Sequence, residues 1–508
     1  MDRHSNEQII AQARNLLQQQ QPGPARQLLA PLLEQPAATP ELAALCGHAA
    51  MGCGDGALAI RAFERWSQLE PGNPEARLRL AAVLADEGQA TRAEPLARDI
   101  ARRHPGSSTA HFVLARALLE QGRYEEAEQS FRTVVRLKPD HRLAHNNLQE
   151  VVWMRSGDAT RANQAMTQAL ATHPQLLFLH AAKARLHSSQ LQWPEAMAEI
   201  RQGLARSPDD PELLAAAVQV ALHLDGVQAL EHAERLHQLL PANRAVRALL
   251  GNACLAAGQT QRALPIAQAL HDEQPEDGEA LAMLLDARRL LGDPGCRELL
   301  DYTRLVRAEI IDCPPGWTDL DTYLAELRRD LLQLHVLQAH PITNSLRGGS
   351  QTQLVPERSP HASIRAFPQA IDGAIKRYIA ALGHGDDPMR RRVGDGHRIQ
   401  GMWSVCLRSD GFHLSHYHPA GWISSAFYLS LPPAAAMREG GGWLKFGEPA
   451  FATRPALEAE YFIKPEPGLL VLFPSWLWHG TVPFTAPDAR RLTIAFDLLP
   501  TSAEHSDS

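Results

Sequence analysis

Apolar positions along this chain follow two different rhythms. From about residue 37 to 290 they recur at helical spacing in short amphipathic runs, and a proline-led polar link closes each unit. Those prolines stand at 71, 105, 139, 174, 208, 241 and 275, opening links such as "EPGNPEA", "HPGSSTA", "SPDDPEL" and "QPEDGEA". Their intervals of 34, 34, 35, 34, 33 and 34 each hold two helices and a turn. After "LLGDPGC" the beat stops, although residues 295 to 340 keep a helical stripe in "DLDTYLAELRRDLLQLHVLQ", and "FPQAIDGAIKRYIAALG" predicts another helix. From about 399 the chain breaks into short apolar runs bounded by Gly and Pro, "GMWSVCLRS", "WISSAFYLSL", "GLLVLFP" and "RLTIAFDLL", which predict strands.

The best-formed unit is "STAHFVLARALLEQGRYEEAEQSFRTVVRLKP". Ala115 and Ala127 are small enough to let its two helices approach closely, Gly122 supports the turn between them, and Pro139 follows where the second helix cannot continue. With Leu114, Tyr124 and Phe131, these positions resemble the packing residues of the tetratricopeptide repeat. The resemblance implies a solenoid of about seven repeats over residues 37–290, preceded by capping helices or a degenerate repeat at 1–36. A helical linker is expected at 291–334, a β-rich domain at 335–500 and a disordered tail at 501–508. Solenoids of this kind use a concave face to hold a peptide or protein partner. Because each repeat packs only on its neighbours, removal of residues 1 to about 290 should leave a C-terminal domain with its own core.

Composition narrows the function classes. Hydrophobic residues at 44% and charged residues at 21% of 508 are ordinary globular values, and the length calls for several domains. A net charge of -7 leaves no basic footprint for nucleic acid, and "RRR" at 390–392 reads as a solvated loop. No stretch has the length and apolarity of a membrane span or a secretory signal, so a soluble, cytoplasmic protein is expected. Six scattered cysteines without a CxxC pair fit a reducing compartment and no structural zinc, and Cys406 reads as a small buried hydrophobe.

The candidate chemistry lies in "FHLSHYHPAGWISSAFYLS", residues 412–430. His416 and His418 are two apart, so an extended backbone points both to one face, where they can converge on an ion. His479 follows a strongly apolar strand, and Arg491 opens the next one with Thr493 on its face. That order resembles the Fe(II)- and 2-oxoglutarate-dependent oxygenases, whose double-stranded β-helix binds iron through H-x-D/E and a distant His. Within them, "SLRGGSQT", "HYHPAGWISSAFYL", "LFPSWLWHGTVPF" and "RLTIAFDL" look like the 2-oxoglutarate/Fe(II) oxygenase group often found behind tetratricopeptide repeats.

The resemblance implies Fe(II) held by His416, His418 and His479, with 2-oxoglutarate and O2 as co-substrates. Arg491 and Thr493 would take the far carboxylate of 2-oxoglutarate, and Tyr428 would present its phenol there or pack as a core aromatic. Three ligands on one face leave open positions for co-substrate and O2. The sequence departs from the pattern at 418, where a neutral imidazole replaces the usual carboxylate and cancels none of the iron charge. His418 is thus either a third ligand or a group outside the ligand set, leaving a two-histidine site. His413 is expected on the other face, at the surface or behind the ligands; Gly348 and Gly349 make a structural turn, and Trp476 and Trp478 are barrel-mouth packing. The expected activity is hydroxylation of a protein or peptide delivered by the repeats, with no nucleic acid and no membrane involved. A non-catalytic repeat scaffold with a degenerate barrel, or an oxygenase acting on a small molecule, are the alternatives.

Overall fold

The computed structural model describes residues 3–433, 436–437 and 440–501, so the tail expected at 501–508 lies outside the described residues beyond Thr501. The chain forms two compact units, Met1–Val152 with Thr160–Leu176, and Trp153–Ala159 with Leu177–Ser508.

The first unit is antiparallel helix pairs. Arg3–Gln18 and Pro22–Leu29 come first, followed by Pro40–Gly52 with Gly56–Leu69, Pro74–Asp86 with Ala90–Arg103, and Ser108–Glu120 with Tyr124–Leu137. The polar links explain where helices begin: Asn73 and Ser107 side chains accept from the main-chain N–H groups of Ala76 and Ala110, satisfying donors that a helix start leaves unpaired. Gly122 adopts φ +71°, a left-handed conformation that ends the first helix of its pair. Ala115, Ala127 and Phe131 are fully buried between helices. Ion pairs such as Arg123–Glu94 (2.8 Å) and Arg98–Glu126 (2.9 Å) link neighbouring repeats. Exposed pairs of this kind contribute at most about 1 kcal/mol each, so the alanine-lined core dominates.

The second unit begins with the same pattern, Phe178–Ser189 with Trp193–Leu204, Pro211–Ala221 with Gly226–Leu239 and Arg244–Ala256 with Thr260–Glu273, then a single helix, Gly278–Leu290. That last helix packs on the β domain. Leu281 and Leu285 belong to the same buried cluster as Trp422, Phe427 and Phe473, and Phe451 belongs to the core of the repeats. The main chains meet at Gly278, whose N–H donates to the Pro419 carbonyl (3.0 Å); a side-chain carbon there would lie 3.1 Å from the Pro419 backbone. The helical rhythm stops near 290, but the packing does not divide there, because the core of the β domain includes side chains of the last repeat helix.

Nine strands follow among the described residues: β1 Arg307–Ile310, β2 Leu346–Gln353, β3 Gly396–His413, β4 Ile423–Ser430, β5 Leu444–Phe446, β6 Tyr461–Ile463, β7 Leu469–Pro474, β8 His479–Thr481 and β9 Arg491–Thr501. They form a large sheet in the order β1-β7-β4-β9-β3-β2 and a small one in the order β6-β5-β8, every pairing antiparallel. This is the double-stranded β-helix architecture behind a tetratricopeptide solenoid. The expected helical linker at 291–334 contains β1, whose four residues are too few to display an alternation.

Alternation of side chains assigns the two faces of the large sheet. Phe427 and Phe496 point outward onto Phe367 of the helix Ala362–Leu382, with ring centroids 5.0 and 6.5 Å away. Ser424 and Ala426 on β4, and Arg491, Thr493, Ala495 and Asp497 on β9, therefore share the opposite, inner face. The small sheet covers that face, with Phe446 of β5 packed edge-on against Phe473 of β7 at 5.0 Å.

Candidate active site

His416 and His479 are held opposite each other by main-chain pairing. Each N–H donates to the other's carbonyl at 2.9 Å, an isolated antiparallel bridge between the segment after β3 and the start of β8. His418 is fixed two residues on by its N–H to the Ser475 carbonyl (2.8 Å). Tyr417 between them turns the other way, its ring 4.5 Å from that of Trp478. The three imidazoles offer nitrogen atoms within 4.8 Å of one another. Their ring centroids are 4.1 Å apart for His416 and His479, and 5.2 Å from His418 to each.

Hydrogen bonds settle which nitrogens converge. Nδ1 of His416 lies 2.9 Å from the Leu414 carbonyl and Nδ1 of His479 lies 2.9 Å from the Leu477 carbonyl, so each Nδ1–H donates outward and Nε2 keeps its lone pair. Nδ1 of His418 faces the Asp497 carboxylate at 2.6 and 2.8 Å, with the Ser424 hydroxyl at 3.1 Å. Three Nε2 atoms with their rings oriented by acceptors behind them suit a divalent transition metal. Burial pushes the His416 pKa down to about 3, helped by His418, and holds His479 well below the usual histidine range. Both are neutral, as metal ligands must be. The negative charge absent at position 418 stands directly behind it, at Asp497.

His413 is not at the surface. It lines the same cavity, its Nδ1 3.0 Å from the Ser345 hydroxyl, which in turn lies 3.2 Å from Nε2 of His416. An irregularity in the β2–β3 pairing between Arg347 and Gly349 turns the chain here, so the strict alternation that placed His413 outside does not hold. Gly348 sits at φ +68°, and Gly349 leaves no room for a side chain against the Cys406 carbonyl, 2.4 Å from where a Cβ would stand.

Arg491 is 2% exposed yet makes no ion pair and leaves its Nε unpartnered among the described residues. Desolvation lowers its pKa. It faces the cavity together with Thr493. Tyr428, fully buried, lies beneath it with its ring centroid 5.0 Å from the guanidinium carbon and its hydroxyl unpartnered. The cavity, about 910 Å³, reaches from Arg491 and Thr493 past the three histidines to Trp193 and Gln219 on the repeat helices and His223 in the turn after the helix Pro211–Ala221.

Sequence reasoning passed over Asp497, Ser345 and the repeat residues of the cavity wall. Asp497 was within reach, since it follows Arg491, Thr493 and Ala495 on one face of the same strand. Trp478 packs against Tyr417 and Phe451, and its indole N–H also donates to Asp286 of the last repeat helix at 2.7 Å. That carboxyl is fully buried, and burial raises its pKa to about 7 against the lowering pull of Arg289.

Residues 401–497 match the family described as "Putative 2OG-Fe(II) oxygenase", and residues 46–108 and 84–150 match two tetratricopeptide repeat families. No curated protein matches. Among solved structures, the chain is similar to yeast Tom70 at 13% identity and TM-score 0.40, over 55% of this chain and 62% of that one. It is similar to PilW, a widely conserved type IV pilus biogenesis factor, at 20% and 0.34, over 42% and 98%. MamA from Desulfovibrio magneticus RS-1 matches at 21% and 0.31, over 33% and 95%. The chain thus joins a tetratricopeptide-repeat array to a region similar to the 2OG-Fe(II) oxygenase family.

Proposed function

We propose that this chain is an Fe(II)- and 2-oxoglutarate-dependent dioxygenase that hydroxylates a protein or peptide recruited through its repeats. One observation carries the reading: three imidazoles tied back at Nδ1 converge in a cavity that also holds a buried arginine without a counter-ion. In this reading His416, His418 and His479 hold the iron through Nε2. Arg491 receives the far carboxylate of 2-oxoglutarate through charge-assisted hydrogen bonds, and the Thr493 hydroxyl donates beside it. Tyr428 supports the guanidinium with its ring face and keeps its free hydroxyl available to the same carboxylate. When bound, iron supplies O2 activation, with electrons drawn from decarboxylation of 2-oxoglutarate to succinate. Asp497 and Ser424 orient His418, and the carboxylate charge behind the ring strengthens it as a donor. All six cysteines are free, and no described helix is long and apolar enough to cross a membrane, which is compatible with a cytoplasmic enzyme.

Succinate release from 2-oxoglutarate in the presence of Fe(II), abolished by chelation and restored by added metal, is the direct test. No release with any candidate peptide, together with no calorimetric 2-oxoglutarate binding, would leave the non-catalytic scaffold. Arg491→Lys retains charge but loses the planar fork, so 2-oxoglutarate affinity is expected to fall roughly 10- to 100-fold with the fold intact. Unchanged affinity would put the co-substrate elsewhere. Asp497→Asn removes the charge behind His418, and metal affinity by equilibrium dialysis is expected to drop about 10- to 100-fold. Unaltered metal binding would show that His418 needs no such support.

A further inference from the structure

The cavity holds a second arginine that the reaction does not use. Arg347, on β2, donates from Nη1 to the main-chain carbonyls of Asn344 (2.6 Å) and Leu346 (2.7 Å). It makes no ion pair among the described residues, and its Nε is buried without a partner. With Nη1 engaged and Nε enclosed, Nη2 is the guanidinium nitrogen left to give a charge-assisted hydrogen bond to a carboxylate. Burial lowers its pKa to about 10, so it stays a cation at neutral pH while lacking the counter-charge that would offset its desolvation.

The facing wall comes from the repeats. The rings of Trp193 and His223 stack at 3.9 Å with an interplanar angle of 7°, and both line the cavity with Gln219. Burial, and secondarily Arg347, brings the His223 pKa down to about 4, so the wall offers neutral aromatic surface and no competing cation. One open guanidinium nitrogen matches a singly charged carboxylate better than a phosphate dianion, which calls for further donors.

We propose that Arg347 is a substrate subsite: its Nη2 receives the side-chain carboxylate of an Asp or Glu in the substrate peptide, while Trp193 and His223 cover the adjoining apolar part. This assignment rests on the oxygenase reading, in which Arg491 already serves 2-oxoglutarate.

The test uses the full chain loaded with redox-silent Zn(II). Calorimetry measures 2-oxoglutarate binding, and saturation-transfer NMR measures binding of capped pentapeptide pools centred on Asp, Glu, Asn or Gln. The native chain is expected to favour the acidic pools by roughly tenfold. Arg347→Gln should erase that preference with 2-oxoglutarate affinity changed by less than about twofold, and Arg491→Gln should do the reverse. Arg347→Lys, which keeps the charge, should retain only part of the preference. A loss of 2-oxoglutarate binding in Arg347→Gln equal to that in Arg491→Gln would overturn the subsite by making Arg347 a co-substrate anchor. Intact 2-oxoglutarate binding with no acidic preference in the native chain, including no peptide binding, would overturn the subsite alone. Absence of 2-oxoglutarate binding in the native chain would overturn the oxygenase reading and the subsite with it. Capped aspartate amide binding as tightly as the pentapeptides would overturn the peptide source in favour of a small acid.

Discussion

A fragment starting at residue 291 is expected to be insoluble or molten, whereas one starting at Asp140 should unfold cooperatively. The cut at 291 removes Leu281 and Leu285, which are 3% and 2% exposed within the core of the β domain. Each such side chain contributes roughly 1.5–3 kcal/mol by burial. The cut also removes the Asp286 acceptor from Trp478 and the Glu279 carboxylate facing the Tyr417 hydroxyl at 3.3 Å, hydrogen bonds worth about 1–3 kcal/mol each. The sum approaches the whole stability of an ordinary domain, about 5–15 kcal/mol. The longer fragment keeps Trp153, whose indole N–H donates to the His340 carbonyl at 2.9 Å, and the Met154 carbonyl, which accepts from Gln338 and Ala339. Circular dichroism melts of the two fragments decide the matter. A sharp transition from the 291 fragment would mean that the last repeat helix is dispensable.

His479→Ala should cost more metal affinity than any change outside the ligand set, beyond the roughly 100-fold ceiling of supporting residues, and abolish succinate release. The side chain is buried, and Phe473 at 4.7 Å encloses it, so water in the vacated space could replace one nitrogen only poorly. Its main-chain bridge to His416 survives the substitution, so the fold should persist. Dialysis against Mn(II) with a parallel thermal melt separates loss of site from loss of structure. His418→Ala provides the comparison: a similar loss makes it a third ligand, and retained metal binding makes the site a two-histidine one.

The repeats were legible because every unit restates one pattern, with cap, alanine contact and turn glycine at fixed offsets. The order of His416, His418, His479 and Arg491 was legible because period-2 alternation and the apolar strands around them constrain which way side chains face. Closure of the repeats onto the β domain was not. Asp286 and Trp478 stand 192 residues apart, and nothing local in either segment marks them as partners. Arg347 stayed hidden because its significance lies in lacking a counter-ion, a property of three-dimensional neighbourhood. The short β1 was missed because its pairing with β7, not its own composition, makes it a strand.

Trp193 and His223 belong to the repeats but face the same hollow as the three histidines. On the oxygenase reading, preference for a new target would arise by exchanging residues on the helix Trp193–Leu204, the helix Pro211–Ala221 and the turn after it, away from the three histidines. Paralogues descended from such a chain would diverge fastest on those two helices and slowest along β8 and β9.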